Sequence, residues 1–179
     1  MAFNNDTYLE LKFLQIKEKF KIDSVIETGT YYADTTKWLS KNFSKVYTCE
    51  INPEFYKIAT QELDGYDNVI HCLQPSQQFL KEALTMAEGN IIVFLDAHWY
   101  ENPLLQEIEL VWGSGKKPIL VIHDFKVPKK DFGYDTYPGI VYDWNYIKES
   151  VDKAYGSYSI EYNEHATGAK RGCIFIYPD

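Results

Sequence analysis

One segment decides how this chain folds: Val25-Ile26-Glu27-Thr28-Gly29-Thr30-Tyr31-Tyr32-Ala33-Asp34-Thr35. An apolar run that is broken by glycine is typical of a strand followed by a turn. Asp34 or Thr35 can cap a helix after that turn. Gly29 lets the backbone turn tightly and come close to a ligand, and the following helix offers free N–H groups. The segment therefore predicts a strand, a ligand-binding turn and a helix.

The same alternation of strands and helices continues on both sides of this segment. Further strands are predicted at 45–51, 69–73, 91–96, 118–124, 158–162 and 172–177, and helices at 1–22, 53–63, 76–86, 103–112 and 142–154. The last two strands leave no room for a helix between them and should pair antiparallel. We therefore predict a doubly wound, Rossmann-like α/β fold. Its seven-stranded, mostly parallel sheet carries a C-terminal antiparallel hairpin and helices on both faces.

Length and composition restrict the class of protein. The 179 residues fit a single domain, and 18 Lys and Arg against 26 Asp and Glu argue against a nucleic-acid partner. Cys49, Cys72 and Cys173 have no CxxC spacing, which favours buried thiols over a disulfide or zinc site. No leader pattern and no run of about 20 apolar residues is present, so we expect a cytoplasmic protein without a membrane partner. The sequence is compatible with a homo-oligomer.

Candidate binding residues follow from a rule about open α/β sheets, in which ligands lie beyond the carboxyl ends of the strands. Glu50 ends the second predicted strand, and a carboxylate there can accept hydrogen bonds from both hydroxyls of a ribose. The full GxGxxG pattern is missing, and Tyr31 and Ala33 occupy places where glycines would admit a pyrophosphate, which disfavours a phosphate-rich dinucleotide. A purely structural turn at Gly29 is the alternative.

These residues resemble those of a known family. The segment from Glu27 to Ala33 resembles the first motif, E/D-x-G-x-G-x-G, of class I S-adenosylmethionine-dependent methyltransferases, with one of its three glycines retained. Glu50 resembles their ribose-binding acid, and Leu95-Asp96-Ala97-His98-Trp99-Tyr100 resembles their fourth motif. The resemblance implies one methyltransferase-like domain over residues 1–179 and S-adenosylmethionine as cofactor. The cofactor-binding residues that it implies are Glu27, Thr28, Gly29, Thr30, Tyr31, Glu50, Ile51, Gln74, Ser76 and Asp96.

Two segments also resemble the sugar O-methyltransferases of antibiotic biosynthesis, which have D-x-D-x-Y after strand four and D-D-Y after strand five. This chain has Asp96-Ala97-His98 and His123-Asp124-Phe125 at those places. The resemblance implies that Asp96, His123 and Asp124 hold a divalent metal, Mg²⁺ or Mn²⁺, and that His98 stands in the place of the base. His replaces Asp twice, and Mg²⁺ prefers oxygen ligands, so another transition metal or no metal are alternatives.

Methyl transfer to a hydroxyl requires alignment of the acceptor and removal of its proton. Among the four histidines, only His98 and His123 fall at the carboxyl ends of central strands. An imidazole titrates near neutral pH and suits the role of the base. We therefore predict His98, Asp96, His123 and Asp124 as catalytic residues. In the alternative interpretation, each histidine only orders its loop by hydrogen bonding.

The irregular segment 125–140 interrupts the alternation, and we predict that it is a substrate loop. Aromatic rings there could cover the apolar face of a sugar while carboxylates accept from its hydroxyls. Packing of the rings on the domain or on a partner is the alternative. The residues concerned are Phe125, Phe132, Tyr134, Tyr137, Tyr142 and Trp144, with Asp131, Asp135 and Asp143 between them.

We therefore expect an S-adenosylmethionine-dependent O-methyltransferase that acts on a hydroxyl of a sugar or glycan, for example a deoxyhexose such as rhamnose. One alternative is a methyltransferase of a small molecule or a protein side chain. Another is a non-catalytic α/β binding module.

Overall fold

A computed structural model describes residues 1–98 and 102–179 of the chain. The motif residues Trp99 and Tyr100 lie outside the described residues. The described helices are α1 (Thr7–Phe20), α2 (Asp34–Asn42), α3 (Pro53–Glu62), α4 (Ser76–Met86), α5 (Leu104–Gly113) and α6 (Trp144–Tyr155). The described strands are β1 (Ile22–Thr28), β2 (Lys45–Glu50), β3 (Val69–Leu73), β4 (Asn90–Leu95), β5 (Ile119–His123), β6 (Thr136–Tyr137), β7 (Ile140–Val141), β8 (Tyr158–Tyr162) and β9 (Cys173–Pro178).

Seven strands form one sheet in the order β3-β2-β1-β4-β5-β9-β8. The pairs from β3 to β5 are parallel, whereas β9 runs antiparallel to β5 and β8 runs antiparallel to β9. The order of strands reverses between β1 and β4, because the chain crosses from the β3 edge back to the centre. The prediction of a doubly wound, mostly parallel sheet with a C-terminal antiparallel pair is confirmed.

Helices cover both faces of the sheet because its central strands are apolar on both sides. Successive residues of a strand point to opposite faces. In β4, Ile92 and Phe94 therefore belong to the core that is shared with α1 and α2. Val93 and Leu95 belong to the core that is shared with α4, α5 and α6. All four side chains are fully buried.

The first helix is shorter than the predicted range 1–22. It begins at Thr7 because the Asp6 carboxylate caps it, accepting hydrogen bonds from the N–H groups of Tyr8 at 3.0 Å and Leu9 at 3.1 Å. The same carboxylate binds distant residues: it accepts from the Asn163 amide at 2.8 Å and from the N–H and hydroxyl of Thr167 at 3.1 and 3.0 Å. Asp6 thereby joins the start of α1 to the loop between β8 and β9.

Residues with a left-handed backbone conformation lie on both sides of α1. Lys21, with φ of 51°, ends the helix, and β1 begins directly after it at Ile22. Before the helix, the residues Ala2–Asn5 form a separate turn in which Phe3, Asn4 and Asn5 all have positive φ. A right-handed helix is impossible at such dihedral angles. The sequence-based range failed at both ends for this reason.

The segment 125–140 is also more ordered than the predicted substrate loop. The strands β6 and β7 pair antiparallel in it. Phe125 and Tyr142 are fully buried in the core beneath α4, α5 and α6, and the partly buried Tyr137 packs against that core. Phe125 and Tyr142 therefore cannot cover a substrate, and the alternative of packing on the domain holds for these two rings. Their apolar area is worth more in the core than on an open surface.

Two features of composition also have structural outcomes. Cys49 and Cys173 are buried free thiols and Cys72 is a partly buried one. Among the described helices, none combines the length and the hydropathy that crossing a bilayer requires.

Candidate functional site

A cleft with a volume of about 260 Å³ opens at the carboxyl edge of the sheet. It lies where the strand order reverses, which is the usual ligand position in open α/β sheets. Residues that follow β1, β2, β3, β4 and β5 line it, together with the turn that precedes α1. The predicted site residues that line this cleft are Gly29, Tyr31, Glu50, Ile51, Gln74, Ser76, Asp96, His98 and Asp124.

Four predicted site residues do not line the cleft: Glu27, Thr28, Thr30 and His123. All four are buried, with at most 4% of their surface exposed. They therefore lie beneath the residues that face the cleft. Any role for them acts through those neighbours.

Gly29 allows the turn after β1 to approach the end of β4. Its φ is +90°, and a β-carbon at this position would lie 2.6 Å from the carbonyl oxygen of Asp96. The N–H groups of Gly29 and Thr30 both donate to the carbonyl oxygen of Cys49 at 3.0 Å. A side chain at position 29 would therefore push apart the ends of the adjacent strands β1 and β4, which both contribute to the cleft.

Glu50 is fixed at the end of β2 by two backbone donors. Its Oε2 accepts a hydrogen bond from the N–H of Tyr31 at 2.9 Å, and its Oε1 accepts from the N–H of Asn52 at 2.8 Å. A carboxylate has about four acceptor sites, so two contacts leave further lone pairs for a ligand. The side chain is thus both held in place and able to accept from hydroxyl groups in the cleft.

Glu27 supports the turn from below. Its Oε2 accepts from the hydroxyls of Thr36 at 2.5 Å and Thr48 at 2.8 Å, and the Thr48 hydroxyl also contacts that of Thr30 at 2.7 Å. Burial raises the pKa of Glu27 to about 8, against the opposing effect of the two hydroxyl donors. The carboxyl group is therefore mostly protonated at neutral pH. Its position favours a structural role over contact with a ligand.

The ends of β4 and β5 carry a network of charges. His123 Nδ1 lies 3.0 Å from Asp96 Oδ1 and 3.4 Å from Asp124 Oδ1. Burial lowers the pKa of His123, but the two carboxylates outweigh this effect and the pKa lies well above its ordinary value. His123 is therefore an imidazolium that is paired with Asp96 and Asp124. A protonated imidazole is neither a base nor a metal ligand.

His98 is buried like His123 but differs from it in its hydrogen-bond partners and in its pKa. It is only 4% exposed, and neither of its ring nitrogens has a hydrogen-bond partner among the described residues. Its Nδ1 lies 4.0 Å from Oδ2 of Asp135. Burial lowers the pKa of His98 to about 4. A neutral imidazole whose nitrogens have no partner among residues 1–98 and 102–179 can accept a proton or bind a metal.

Three side chains at these strand ends are close enough to share one metal ion. One ligand atom from each of Asp96, His98 and Asp124 lies within 4.8 Å of the others. The predicted set contained His123 in place of His98, and the structure differs there because the Nδ1 of His123 already pairs with both carboxylates. Two carboxylates and an imidazole form a donor set that suits Mn²⁺ and other transition metals better than Mg²⁺.

Arg171 is a site residue that sequence reasoning missed. Its Nε donates to Asp124 Oδ1, and its Nη2 donates to Oδ1 of Asp135, a cleft residue, at 2.6 Å. Gly133 gives the guanidinium room, because a β-carbon there would lie 2.6 Å from Arg171 Nη1. The backbone of Asp135 is fixed as well, since its N–H donates to the carbonyl oxygen of Asp124 at 2.8 Å. Nothing in the local sequence around Arg171 indicates this role.

The turn before α1 supplies a second residue that the sequence did not reveal. Asn4 is exposed and lines the cleft, although it lies far along the chain from the other lining residues. Two adjacent asparagines before a helix cap were a usable signal, because Asn tolerates positive φ better than other residues with side chains.

This fold also occurs in known proteins. No protein-family model matches the chain, and no curated protein matches it in sequence. The O-methyltransferase from Bacillus cereus in complex with SAH (S-adenosylhomocysteine) is similar in structure, with a TM-score of 0.71, 14% identity, and coverage of 97% of this chain and 81% of that chain. A SAM-dependent methyltransferase from Aquifex aeolicus has a TM-score of 0.60 and 19% identity, over 97% and 93% of the two chains. An rRNA methylase from Streptococcus thermophilus has a TM-score of 0.61 and 12% identity, over 99% of each. At these identities the likeness establishes a shared fold.

Proposed function

We propose that this protein is an S-adenosylmethionine-dependent O-methyltransferase that acts on a hydroxyl of a sugar or glycan. One observation carries the proposal: an open cleft at the reversal of strand order, with the Gly29 turn on one side and the fixed Glu50 carboxylate on another. The fold that it shares with a methyltransferase in complex with SAH supports the same cofactor class.

The residues at β1, β2 and β3 fit S-adenosylmethionine. Glu50 would accept hydrogen bonds from the ribose hydroxyls, because both of its oxygens are held with lone pairs to spare. The close approach of Gly29 to Asp96 leaves a bare backbone wall for the methionine part. Ile51, Gln74 and Ser76 line the side where the adenine would lie. When bound, this cofactor supplies a sulfonium methyl group that is already activated for transfer.

The residues at β4 and β5 would handle the acceptor. We assign proton removal to His98, because its imidazole is neutral, lines the cleft and has no hydrogen-bond partner within the described part of the chain. The negative charge of Asp124 stabilises the imidazolium that forms, since it raises the pKa of His98. His123 is already protonated and would instead hold Asp96 and Asp124 in position.

The charge of the cleft favours a neutral acceptor with several hydroxyls. Asp124 and Asp135 line it, and each can accept hydrogen bonds from sugar hydroxyls. A phosphate-rich acceptor such as RNA would meet these carboxylates and the formal net charge of −8. A small-molecule acceptor or a protein side chain is the alternative within the same chemistry.

A divalent ion is a second proposal for the same cluster. Asp96, His98 and Asp124 would hold Mn²⁺ or Mg²⁺, and the ion would supply Lewis acidity toward the acceptor hydroxyl. His98 would then be a ligand and not the base. Titration with Mn²⁺ alone, followed by electron paramagnetic resonance, separates the two: uptake of one ion that is lost in Asp96→Asn supports the metal, and no uptake supports His98 as base.

Transfer of a labelled methyl group from S-adenosylmethionine tests the function. Sugars, glycans, small phenols and peptides serve as acceptors, and mass spectrometry identifies the product. A methylated sugar supports the proposal, whereas transfer to phenols or peptides alone contradicts the acceptor class. Calorimetry with S-adenosylhomocysteine provides the second measurement. If no binding is detected, the methyltransferase proposal is wrong and a non-catalytic binding module becomes the better interpretation.

A further inference from the structure

The turn before α1 contains three consecutive residues with a strained, left-handed backbone conformation. Phe3, Asn4 and Asn5 have φ angles of 47°, 55° and 66°. Residues with side chains rarely occupy this left-handed region, and then as single residues. A run of three persists only where the surrounding structure holds it, and such strain often marks a functional position.

Phe3 anchors the turn to the core. Its ring is 2% exposed and packs against Phe13, Trp38 and Phe94, with ring centroids 4.8, 5.2 and 5.5 Å away. Its N–H donates to the hydroxyl of Thr35 at 3.0 Å, which ties the turn to the start of α2. Burial of this ring offsets the strain of the turn.

The loop between β8 and β9 holds the turn from the other side. The carbonyl oxygen of Asn4 accepts from the N–H of Ala169 at 3.0 Å. Gly168 has a φ of +57°, and a β-carbon there would lie 2.4 Å from the carbonyl oxygens of both Asn4 and Asn5. Glycine is therefore required for this approach. The backbone of Asn4 is fixed between two parts of the chain.

The Asn4 side chain has a different environment from its backbone. It is exposed and lines the cleft, and its amide makes no hydrogen bond to another described residue. Asn5 has the same strain and exposure but does not line the cleft. An amide both donates and accepts hydrogen bonds, as a hydroxyl group does.

We infer that Asn4 is a specificity-determining residue that binds the acceptor through its amide, and that the strained turn holds this amide in the cleft. The inference rests on the proposed function, because it assumes that a hydroxylated acceptor occupies the cleft. The acceptor would lie between Asn4 on one side and Asp124 and Asp135 on the other. The strained backbone at positions 3–5 is then the conformation that places the Asn4 amide in the cleft.

A matched pair of variants, Asn4→Gly and Asn5→Gly, tests the inference. Glycine relieves positive φ at both positions and adds similar freedom to the unfolded chain. Both variants should therefore unfold at the same urea concentration as the original protein or a higher one. Asn4→Gly should raise the KM for the sugar acceptor about tenfold, the effect of one lost hydrogen bond, whereas Asn5→Gly should leave it unchanged.

A third variant and a binding measurement complete the test. Asn4→Asp keeps the shape and the tolerance of positive φ but loses the N–H donors, so it should also raise the acceptor KM. Affinity for S-adenosylhomocysteine should stay the same in all three variants. Equal KM values in Asn4→Gly, Asn4→Asp and the original protein would overturn the inference alone, as would a loss of cofactor affinity. Absence of methyl transfer in the original protein would overturn the proposed function and this inference with it.

Discussion

Gly29 and Asp96 meet at a distance that only a missing side chain permits: a β-carbon on the glycine would lie 2.6 Å from the carbonyl oxygen of the aspartate. The contact joins the turn after β1 to the end of β4. These two strands flank the reversal of strand order. The packing of these two strand ends therefore depends on the absence of a side chain at position 29.

Gly29→Ala should destabilise the protein by about 2–4 kcal/mol, because the new methyl group overlaps backbone atoms that cannot rotate away. Gly65→Ala is the matched control: its φ of +82° is similar, but no atom lies within 4 Å of the added carbon. It should cost only about 1 kcal/mol, from the left-handed backbone. Urea unfolding measures both. Equal losses would mean that the approach to Asp96 is unimportant for stability.

Glu50→Gln should weaken binding of S-adenosylhomocysteine about tenfold to a hundredfold, because a neutral amide keeps one acceptor oxygen but loses the charge that strengthens hydrogen bonds from ribose hydroxyls. Glu54→Gln, on the exposed first turn of α3, is the control and should bind normally. Isothermal calorimetry gives both affinities. Unchanged affinity in Glu50→Gln would remove the carboxylate from the cofactor site.

His98→Ala should lower turnover about a hundredfold or more while affinity for S-adenosylhomocysteine stays within about threefold, since general-base catalysis contributes on that scale. His71→Ala is the control, because burial lowers the pKa of the partly buried His71 to about 4 as well, but His71 lies on the edge strand β3, outside the cleft. Steady-state kinetics and calorimetry give the two readouts. A large loss of cofactor affinity in His98→Ala would contradict the proposed division between cofactor and acceptor residues.

In Glu27→Gln, the free energy of unfolding should fall less as the pH becomes alkaline. The pKa of Glu27 is about 8 in the folded chain against 4.5 as its ordinary value, so the folded state binds more protons between these values. The contribution of Glu27 to stability is therefore full below about pH 4.5 and is lost as the pH rises through about 8.

Between pH 5 and pH 9, the free energy of unfolding of the original protein should fall by up to about 4 kcal/mol more than that of Glu27→Gln. Urea unfolding over that range measures the difference. A second buried acid, Glu107, whose pKa burial raises to about 7, is present in both proteins, so its effect cancels. Parallel pH profiles would mean that Glu27 is ionised in the folded state.

The fold could be predicted because its signals are local. Strands that are buried on both faces read as continuous apolar runs, as in β4 and β5, and amphipathic segments lie between them. The shorter first helix and the burial of Phe125 and Tyr142 have a tertiary origin. The turn at Asn4 depends on the burial of Phe3 and on the distant Gly168, and the burial of Tyr142 depends on helices that follow and precede it.

The candidate site was predictable only where it follows a strand. Glu50, Asp96 and Asp124 each end or follow a strand, and topology alone brings them to one edge of the sheet. Arg171 lies 47 residues after Asp124 in the chain, and no sequence pattern predicts that its side chain contacts Asp124. The roles of the histidines depended on burial and partners: the same residue type is an imidazolium at His123 and neutral at His98.

The hydrogen bonds of Asp6 have a consequence for how the chain matures during translation. They connect residues 157 and 161 positions apart, and contacts across so long a loop form after local ones. The strands from β1 to β5 can assemble on the ribosome while the amino-terminal turn still lacks its second support. The turn gains its second support once residues 163–169 have been synthesised, and the core is completed after them, when β9 adds Ile174 and Phe175.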